Sequence, residues 1–117
     1  MTAILRRSKV VRPAAAKLRE RLALTQSQFA PLLPLSVRSL ATLERGTVPT
    51  EPVARRLVEL DRLTTALAEV IREGALGAWM QTPNAAFGGL KPIEVIARGE
   101  LDRLWEMVFS LRSGVPV

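Results

Sequence analysis

The spacing of helix start and stop signals between residues 25 and 46 is the strongest constraint on the fold of this chain. The segment TQSQ at 25–28 matches a capping box, in which the Thr hydroxyl accepts a backbone hydrogen bond and the second Gln reaches back to the cap. Pro34 cannot continue the helix that follows. Ser36 is a favourable cap for a further helix, and Gly46 is a favourable end for it. The sequence therefore predicts two short helices joined by a tight turn.

Apolar periodicity predicts helices in most of the remaining chain. They span 13 to about 24, 51 to about 63, 92 to 98 and 100 to about 112. If the apolar spacing is followed to its end, the second of these runs on to Gly74. Residues 75–90 contain several glycines and Pro83-Asn84, and they predict an ordered, turn-rich segment. No strand pattern is convincing, so the predicted fold class is all-α.

Composition excludes most catalytic chemistry. The 117 residues include no Cys, no His and no Tyr, which removes thiolate and imidazole metal sites and the usual nucleophile–base pairs. The carboxylate pairs that remain, Glu100 with Asp102 and Glu69 with Glu73, are typical of solvated helix faces. We therefore expect no enzyme activity, no metal and no cofactor. No apolar run approaches the roughly 18 to 20 residues of a membrane span, which favours a cytoplasmic location.

The net positive charge of the chain comes entirely from its first half. Residues 1–62 carry 12 basic and 5 acidic side chains, a net of +7, whereas residues 63–117 carry 5 and 6. Residues 1–12 form a basic arm without apolar periodicity, which we expect to be flexible; its cations are Arg6, Arg7, Lys9 and Arg12. This asymmetry predicts that one half meets a polyanion such as DNA. The alternative is a basic surface that is merely solvated.

The last predicted helix has more apolar surface than one small core needs. Its inner stripe contains Leu101, Leu104, Trp105, Val108 and Leu111. Met107 and Phe109 widen the apolar arc to about 200°. Because a chain of this size has little material to cover such an arc, part of it is expected to meet another protein. In the alternative interpretation, the whole stripe is intramolecular core.

The segment LTQSQFAPLLPLSVRSLATLERG at 24–46 resembles the helix-turn-helix domains of the Xre family. In that family the third helix enters the major groove of DNA and the second crosses the backbone. The resemblance implies a DNA-binding set of Gln26, Ser36, Val37, Arg38, Ser39, Thr42 and Arg45. Arg38 is the candidate for reading a guanine, while Gln26 and Arg45 would contact phosphates. The sequence departs from the family at Pro34, where glycine is usual, and at Val37, where a polar residue is common. The alternative is a helix-turn-helix retained for dimer packing.

The segment from Trp79 to Phe109 resembles the C-terminal toxin-binding domain of the MbcA/ParS/Xre antitoxins. The residues that carry this likeness are Trp79, Pro83, Asn84, Gly88, Gly89, Pro92, Glu94 and Gly99. Lys91 departs from it, because a small hydroxyl residue would cap the helix at Pro92 better. Antitoxins of this arrangement pair with RES-domain toxins, which consume NAD, and they cover the toxin's NAD pocket.

Together the two resemblances imply a type II antitoxin that also represses its own operon. We expect a basic arm at 1–12, a helix-turn-helix domain at 13–63 and a helical toxin-binding domain at 64–117. The residues expected to bind toxin are Met107, Phe109, Arg112, Val115 and Val117. The expected partners are a RES-domain toxin and operator DNA, with assembly as a homodimer or a larger hetero-oligomer with the toxin. The alternative function is a stand-alone transcriptional regulator without a toxin.

Overall fold

The computed structural model of the chain describes residues 15–72 and 74–114. Its helices are α1 (within 15–21), α2 (Gln26–Phe29), α3 (Val37–Arg45), α4 (Glu51–Val70), α5 (Leu76–Met80), α6 (Pro92–Ala97) and α7 (Leu101–Ser113), with short 3-10 helices at Ala30–Leu32 and Ala85–Phe87. The described residues contain no strand, which confirms the all-α prediction. In these ranges no helix has both the length and the apolar character needed to span a bilayer. The basic arm, the helix start at Pro13, and Glu73, Val115 and Val117 lie outside the described residues.

The chain divides into two compact units, the first ending at Asp61 and the second beginning at Arg62. The division falls inside α4, which extends past residue 63 as the longer prediction has it but ends at Val70, before Gly74. Buried apolar side chains of the first unit include Leu18, Leu22, Phe29, Leu32, Leu33, Leu40, Leu43, Leu57 and Leu60. Those of the second include Leu67, Met80, Phe87, Val95, Ile96, Leu104 and Val108.

The local signals around α2 and α3 act as the sequence predicts. The Thr25 hydroxyl accepts from the Gln28 backbone N–H at 3.1 Å, and the Gln28 side chain accepts from the Thr25 N–H at 2.9 Å. Ser36 caps α3 by accepting from the Ser39 N–H at 3.0 Å. Between the two helices, Pro34 has a φ of 25°, which glycine would adopt with less strain.

Helix α1 ends earlier than predicted, because the chain leaves the helix before Leu24. The Leu24 N–H donates to the Arg19 carbonyl at 3.1 Å and the Ala23 N–H to the Glu20 carbonyl at 3.0 Å. This closing pattern places Ala23 at a φ of 55°, in the left-handed region that glycine usually fills at helix ends. The sequence carries an alanine there, so no residue type signalled the end of the helix.

Residues 75–90 contain a helix that the sequence analysis missed. Leu76 and Met80 are one turn apart and buried in α5, but Gly77 between them weakens the helical pattern. The predicted turn-rich region is therefore limited to residues 81–91. It is closed by Asn84, whose N–H donates to the Leu90 carbonyl at 3.0 Å and whose carbonyl accepts from Gly89 at 3.0 Å. Gly89 has a φ of 90°, so glycine suits this closure.

The ends of α6 and α7 follow the sequence. Lys91 offers no side-chain cap, but its N–H donates to the Glu94 carboxylate at 2.8 Å, so Glu94 supplies the interaction at the start of α6. Gly99, with a φ of 80°, follows α6, and Gly114, with a φ of 72°, ends α7. Glycine at both positions reverses the chain with little strain.

Replacing Ala23 with Gly is expected to raise the free energy of unfolding by about 1 kcal/mol, because the left-handed conformation is unfavourable for a residue with a Cβ atom. The matched control is Ala16→Gly, inside α1 of the same unit. It should lower the free energy of unfolding by about 0.5 to 1 kcal/mol, since glycine destabilises a helix interior. Urea titrations followed by circular dichroism would measure both. Equal losses for the two variants would contradict the role assigned to Ala23.

Candidate functional site

The predicted DNA-binding residues of α3 and its cap lie together on one exposed surface. This α3 surface consists of Ser36, Val37, Arg38, Ser39, Thr42 and Arg45. Leu40 and Leu43 occupy the opposite side of the helix and are buried, which fixes the direction in which the α3 surface points. Val37 is 44% exposed and adds an apolar side chain to this surface.

The polar groups of the α3 surface differ in how far they are engaged within the helix. The Thr42 hydroxyl donates to the Arg38 carbonyl at 3.0 Å, and the Ser36 hydroxyl donates to the Ser39 hydroxyl at 2.9 Å. Arg45 lies 3.5 Å from the Thr42 hydroxyl, a weak contact. Within the described ranges, the Arg38 guanidinium has no hydrogen-bond or ion-pair partner. Arg38 is therefore the side chain of this surface most available for a bidentate contact.

A groove of about 330 Å³ adjoins the α3 surface within the first unit. Arg38, Ser39 and Thr42 line it on the α3 side, and Val48, Thr50 and Val53 line it on the side of the loop and α4. Val48 is 71% exposed. The groove thus combines hydroxyl groups with apolar surface and is continuous with the candidate DNA-reading side chains.

A partly buried cluster around Glu44 holds α1, α2 and α3 together beneath this surface. Arg19 donates to both Glu44 carboxylate oxygens, from Nε to Oε2 at 2.7 Å and from Nη2 to Oε1 at 2.9 Å. The Gln26 amide donates to Oε1 at 3.1 Å. Arg19 also donates from Nη1 to the Leu24 carbonyl at 3.1 Å, beside the irregular end of α1. The Glu44 side chain is only 9% exposed, so the fork of hydrogen bonds offsets its desolvation.

The cluster shifts the titration of both charged groups. Hydrogen bonding from Arg19 holds the pKa of Glu44 below its usual value, with a smaller contribution from Gln26, although burial opposes the shift. The hydrogen bond to Glu44 likewise raises the pKa of Arg19 against the effect of burial. No role was predicted for Glu44 or Arg19 from the sequence. The available signal was Glu44 itself, an acidic residue on the side of α3 that also carries the apolar Leu40 and Leu43.

Gln26 has a structural contact that the sequence analysis did not foresee. Its amide nitrogen donates one hydrogen bond to Glu44 and retains a second hydrogen that can be donated elsewhere. The side chain is half-buried at the start of α2. A phosphate contact by Gln26 therefore stays a prediction. Its substitution would also disturb the Glu44 cluster.

The second unit presents an aromatic edge on α7. This α7 edge consists of Trp105, Phe109 and Arg112, which lie within about 60° of one another on the helix. The rings of Trp105 and Phe109 stack with centroids 5.7 Å apart and planes inclined by 28°. Phe109 is 58% exposed, as expected for a partner contact, and Trp105 is half-buried. The sequence analysis placed Trp105 in the inner stripe and did not include it among the toxin-binding residues.

Met107 is not part of the exposed edge, contrary to the sequence analysis. It is buried, as are Leu101, Leu104 and Val108, so the inner face of α7 extends towards Met107 and away from Phe109. The reason is the segment Ala85–Phe87, which covers that side. Met107, Phe87 and Arg103 line a small cavity of about 140 Å³, and the Arg103 guanidinium lies 5.8 Å from the centre of the Phe87 ring. Leu111, predicted for the inner stripe, is instead 47% exposed.

Arg112 is exposed but engaged. Its Nη2 donates to a carboxylate oxygen of Glu69 on α4 at 2.8 Å, and both side chains remain about half exposed. No local sequence signal could reveal this pair, because 43 residues separate its members. Val115 and Val117, the other predicted contacts at the chain end, lie outside the described residues.

Comparison with known proteins places the chain among antitoxins. The family model of the antitoxin Xre/MbcA/ParS C-terminal toxin-binding domain matches residues 66–113. The mycobacterial cidal antitoxin MbcA of Mycobacterium tuberculosis is 33% identical over 97 residues, which cover 82% of this chain and 86% of the relative. MbcA of Mycobacterium bovis has the same identity and coverage.

A solved structure shares the fold over nearly the whole chain. One chain of the crystal structure of the M. tuberculosis MbcT–MbcA toxin–antitoxin complex superposes with a TM-score of 0.73 at 30% identity. The match covers 92% of this chain and 98% of that one.

Replacing Glu44 with Gln is expected to lower the free energy of unfolding by about 1 to 3 kcal/mol at neutral pH, because Arg19 would lose its charged partner in a partly buried position. The control is Asp61→Asn. Asp61 also pairs with a cation of α1, Arg21 at 3.4 Å, but both side chains are well exposed. We expect a change within about 0.5 kcal/mol for the control. Chemical denaturation at pH 7 would measure both variants.

The depressed pKa of Glu44 also predicts an acid-sensitive fold. Its stabilisation is fully present above the ordinary carboxyl value of about 4.3 and is lost as pH falls through the lower, folded-state pKa. Unfolding measured from pH 6 down to pH 3 should therefore show a smaller loss of stability for Glu44→Gln than for the unchanged chain. Parallel pH profiles for the two proteins would contradict this assignment.

Proposed function

The chain belongs to the Xre/MbcA/ParS family of antitoxins, and we propose that it neutralises a RES-domain, NAD-degrading toxin and represses its own operon by binding operator DNA. As an antitoxin it is a member of a toxin–antitoxin system and not an enzyme. The observation that carries the toxin assignment is the stacked and exposed α7 edge, which lies next to the chain end inside the region matched by the toxin-binding family model.

The proposed toxin-binding domain is 64–117, and its contact is the α7 edge together with the end of the chain. A segment that blocks a nucleotide pocket must extend into the pocket and exclude water from the contact. These requirements matter more than the charge of the segment. Phe109 provides exposed aromatic surface, and the proposed contact continues through Arg112 to Val115 and Val117, as the sequence predicts. Met107 is left out of the proposal, because it is buried.

The proposed DNA-binding domain is 13–63, with α2 and α3 as its helix-turn-helix. Two observations support it: the excess positive charge of residues 1–62 and the exposed guanidinium of Arg38 on the α3 surface. One such helix offers few base contacts, so we propose that a homodimer, alone or within a larger assembly with toxin, binds two related half-sites. The protein would then act in the cytoplasm, where the operator lies.

A stand-alone regulator is the second candidate raised by the sequence. It would use the α3 surface in the same way but would leave the α7 edge without a partner. Membership of an antitoxin family favours the first candidate. Co-purification of the chain with the product of the neighbouring reading frame would separate the two.

Replacing Arg38 with Ala is expected to weaken operator binding by about 1 to 3 kcal/mol and to relax the preference at one base pair, because a bidentate contact to guanine is lost. Arg45→Ala is the matched control on the same helix. It should weaken operator and random duplexes alike, since a phosphate contact carries no sequence information. Fluorescence anisotropy with both duplexes at several salt concentrations would measure the two effects. Equal losses on both duplexes for Arg38→Ala would refute its assignment as the base-reading residue.

Truncation after Leu111 is expected to abolish neutralisation while leaving DNA binding and the fold of the first unit unchanged, because the segment removed lies beyond the last buried side chain of α7. Growth and cellular NAD, with the neighbouring toxin supplied alongside intact or truncated chain, provide the readout. Truncation after Gly114 is the control that separates residues 115–117 from Arg112. Full rescue of growth by the chain ending at Leu111 would exclude this segment as the blocking element.

A further inference from the structure

The last turn of α7 extends beyond the core of the second unit. Val108 is the final buried residue of the helix, whereas Phe109 and Leu111 have about half of their surface exposed. Ser113 donates only to carbonyls of its own helix, those of Phe109 and Ser110. Apolar burial therefore does little to fix the direction of this turn.

One side-chain hydrogen bond links this turn to another helix. In the described part of 109–114, the only side-chain hydrogen bond to a different element is the one from Arg112 to Glu69. Glu69 lies in the last turn of α4, which ends at Val70. The pair thus joins the C-terminal turns of two helices of the same unit, and its 2.8 Å separation is typical of a charge-assisted hydrogen bond.

We propose that Glu69 is a positioning residue: by holding Arg112 it fixes the last turn of α7 and thereby the orientation of the exposed α7 edge. Phe109 of that edge is 58% exposed and lies three residues before Arg112 in the same turn. A change in the orientation of the last turn is therefore carried directly into the Phe109 ring. The inference rests on the proposed function, in which the α7 edge contacts the toxin.

The positioning role differs from the role that the sequence predicts for Arg112. The sequence predicts that the Arg112 guanidinium contacts the toxin directly. In the structure its Nη2 donates to Glu69, and the effect of Arg112 on the toxin is then exerted through the position of the last turn and of its Phe109 ring. The pair is half exposed, and exposed pairs contribute little, so we expect effects of about two- to fivefold on inhibition and not a complete loss.

Charge reversal separates positioning from direct contact. Glu69→Arg and Arg112→Glu each place like charges opposite one another, whereas the double variant restores an ion pair with its members exchanged. We expect each single variant to raise the concentration needed to inhibit NAD hydrolysis by the neighbouring toxin by about two- to fivefold. The double variant should return close to the unchanged chain. Amide hydrogen exchange at residues 109–114, measured without toxin, should be faster in each single variant and slower again in the double.

Glu51→Arg is the matched control. It makes the same charge change on the same helix and breaks a pair of similar length, that of Glu51 with Arg55 at 3.0 Å. It should leave both inhibition and exchange at 109–114 unchanged. Melting temperatures of all variants should stay close to one another, which excludes a general loss of structure.

Two results would overturn the positioning role. If Arg112→Glu weakens inhibition, Glu69→Arg does not, and the double variant is no better than Arg112→Glu, then Arg112 contacts the toxin directly and the proposed function stands. If exchange at 109–114 is unchanged in Glu69→Arg, the pair does not hold the last turn. The proposed function can fail separately. If the unchanged chain does not inhibit NAD hydrolysis by the neighbouring toxin, but the double variant restores slow amide exchange at 109–114, then the positioning role stands and the proposed toxin is refuted.

Discussion

The carboxylate of Glu44 is the interaction on which the arrangement of the first unit depends. Three donor groups from two other helices converge on its oxygens, two from Arg19 and one from Gln26. Apolar packing is non-directional and leaves short helices free to slide, and α2 has only four residues. A bidentate fork with fixed geometry supplies the missing direction. The exposed side of α3 is therefore positioned by contacts on its opposite, largely buried side.

Much of the first unit could be predicted because its signals are local. The capping box at Thr25, the cap at Ser36 and the glycine after α3 each act within four residues, and each has the expected hydrogen bonds. The end of α1 was mispredicted for the complementary reason. Ala23 takes a conformation that its residue type does not favour, and Arg19, which is held by Glu44 25 residues later, donates to the Leu24 carbonyl beside it.

The candidate surface of the second unit was only partly predictable. The amphipathic pattern of α7 indicated an excess of apolar surface, but it could not tell which edge the rest of the unit covers. The segment around Phe87 covers Met107 and leaves Phe109 exposed. The partner of Arg112 was equally hidden, since Glu69 lies on a helix 43 residues earlier. The local sequence thus determines which residues form α7. Long-range packing determines which of those side chains remain exposed to bind a partner.

The placement of the aromatic residues also makes the second unit optically distinct. The chain has no Tyr and two Trp, and both Trp79 and Trp105 lie after Arg62. Trp79 meets the buried Phe87 ring edge-on at 6.4 Å, and Trp105 stacks on the exposed Phe109. Excitation of indole therefore reports on the second unit alone, with one half-buried emitter beside the Phe87 ring and one on the α7 edge. Tryptophan emission and far-ultraviolet dichroism, recorded on the same sample, would resolve whether the two units unfold together or in sequence, without any added label.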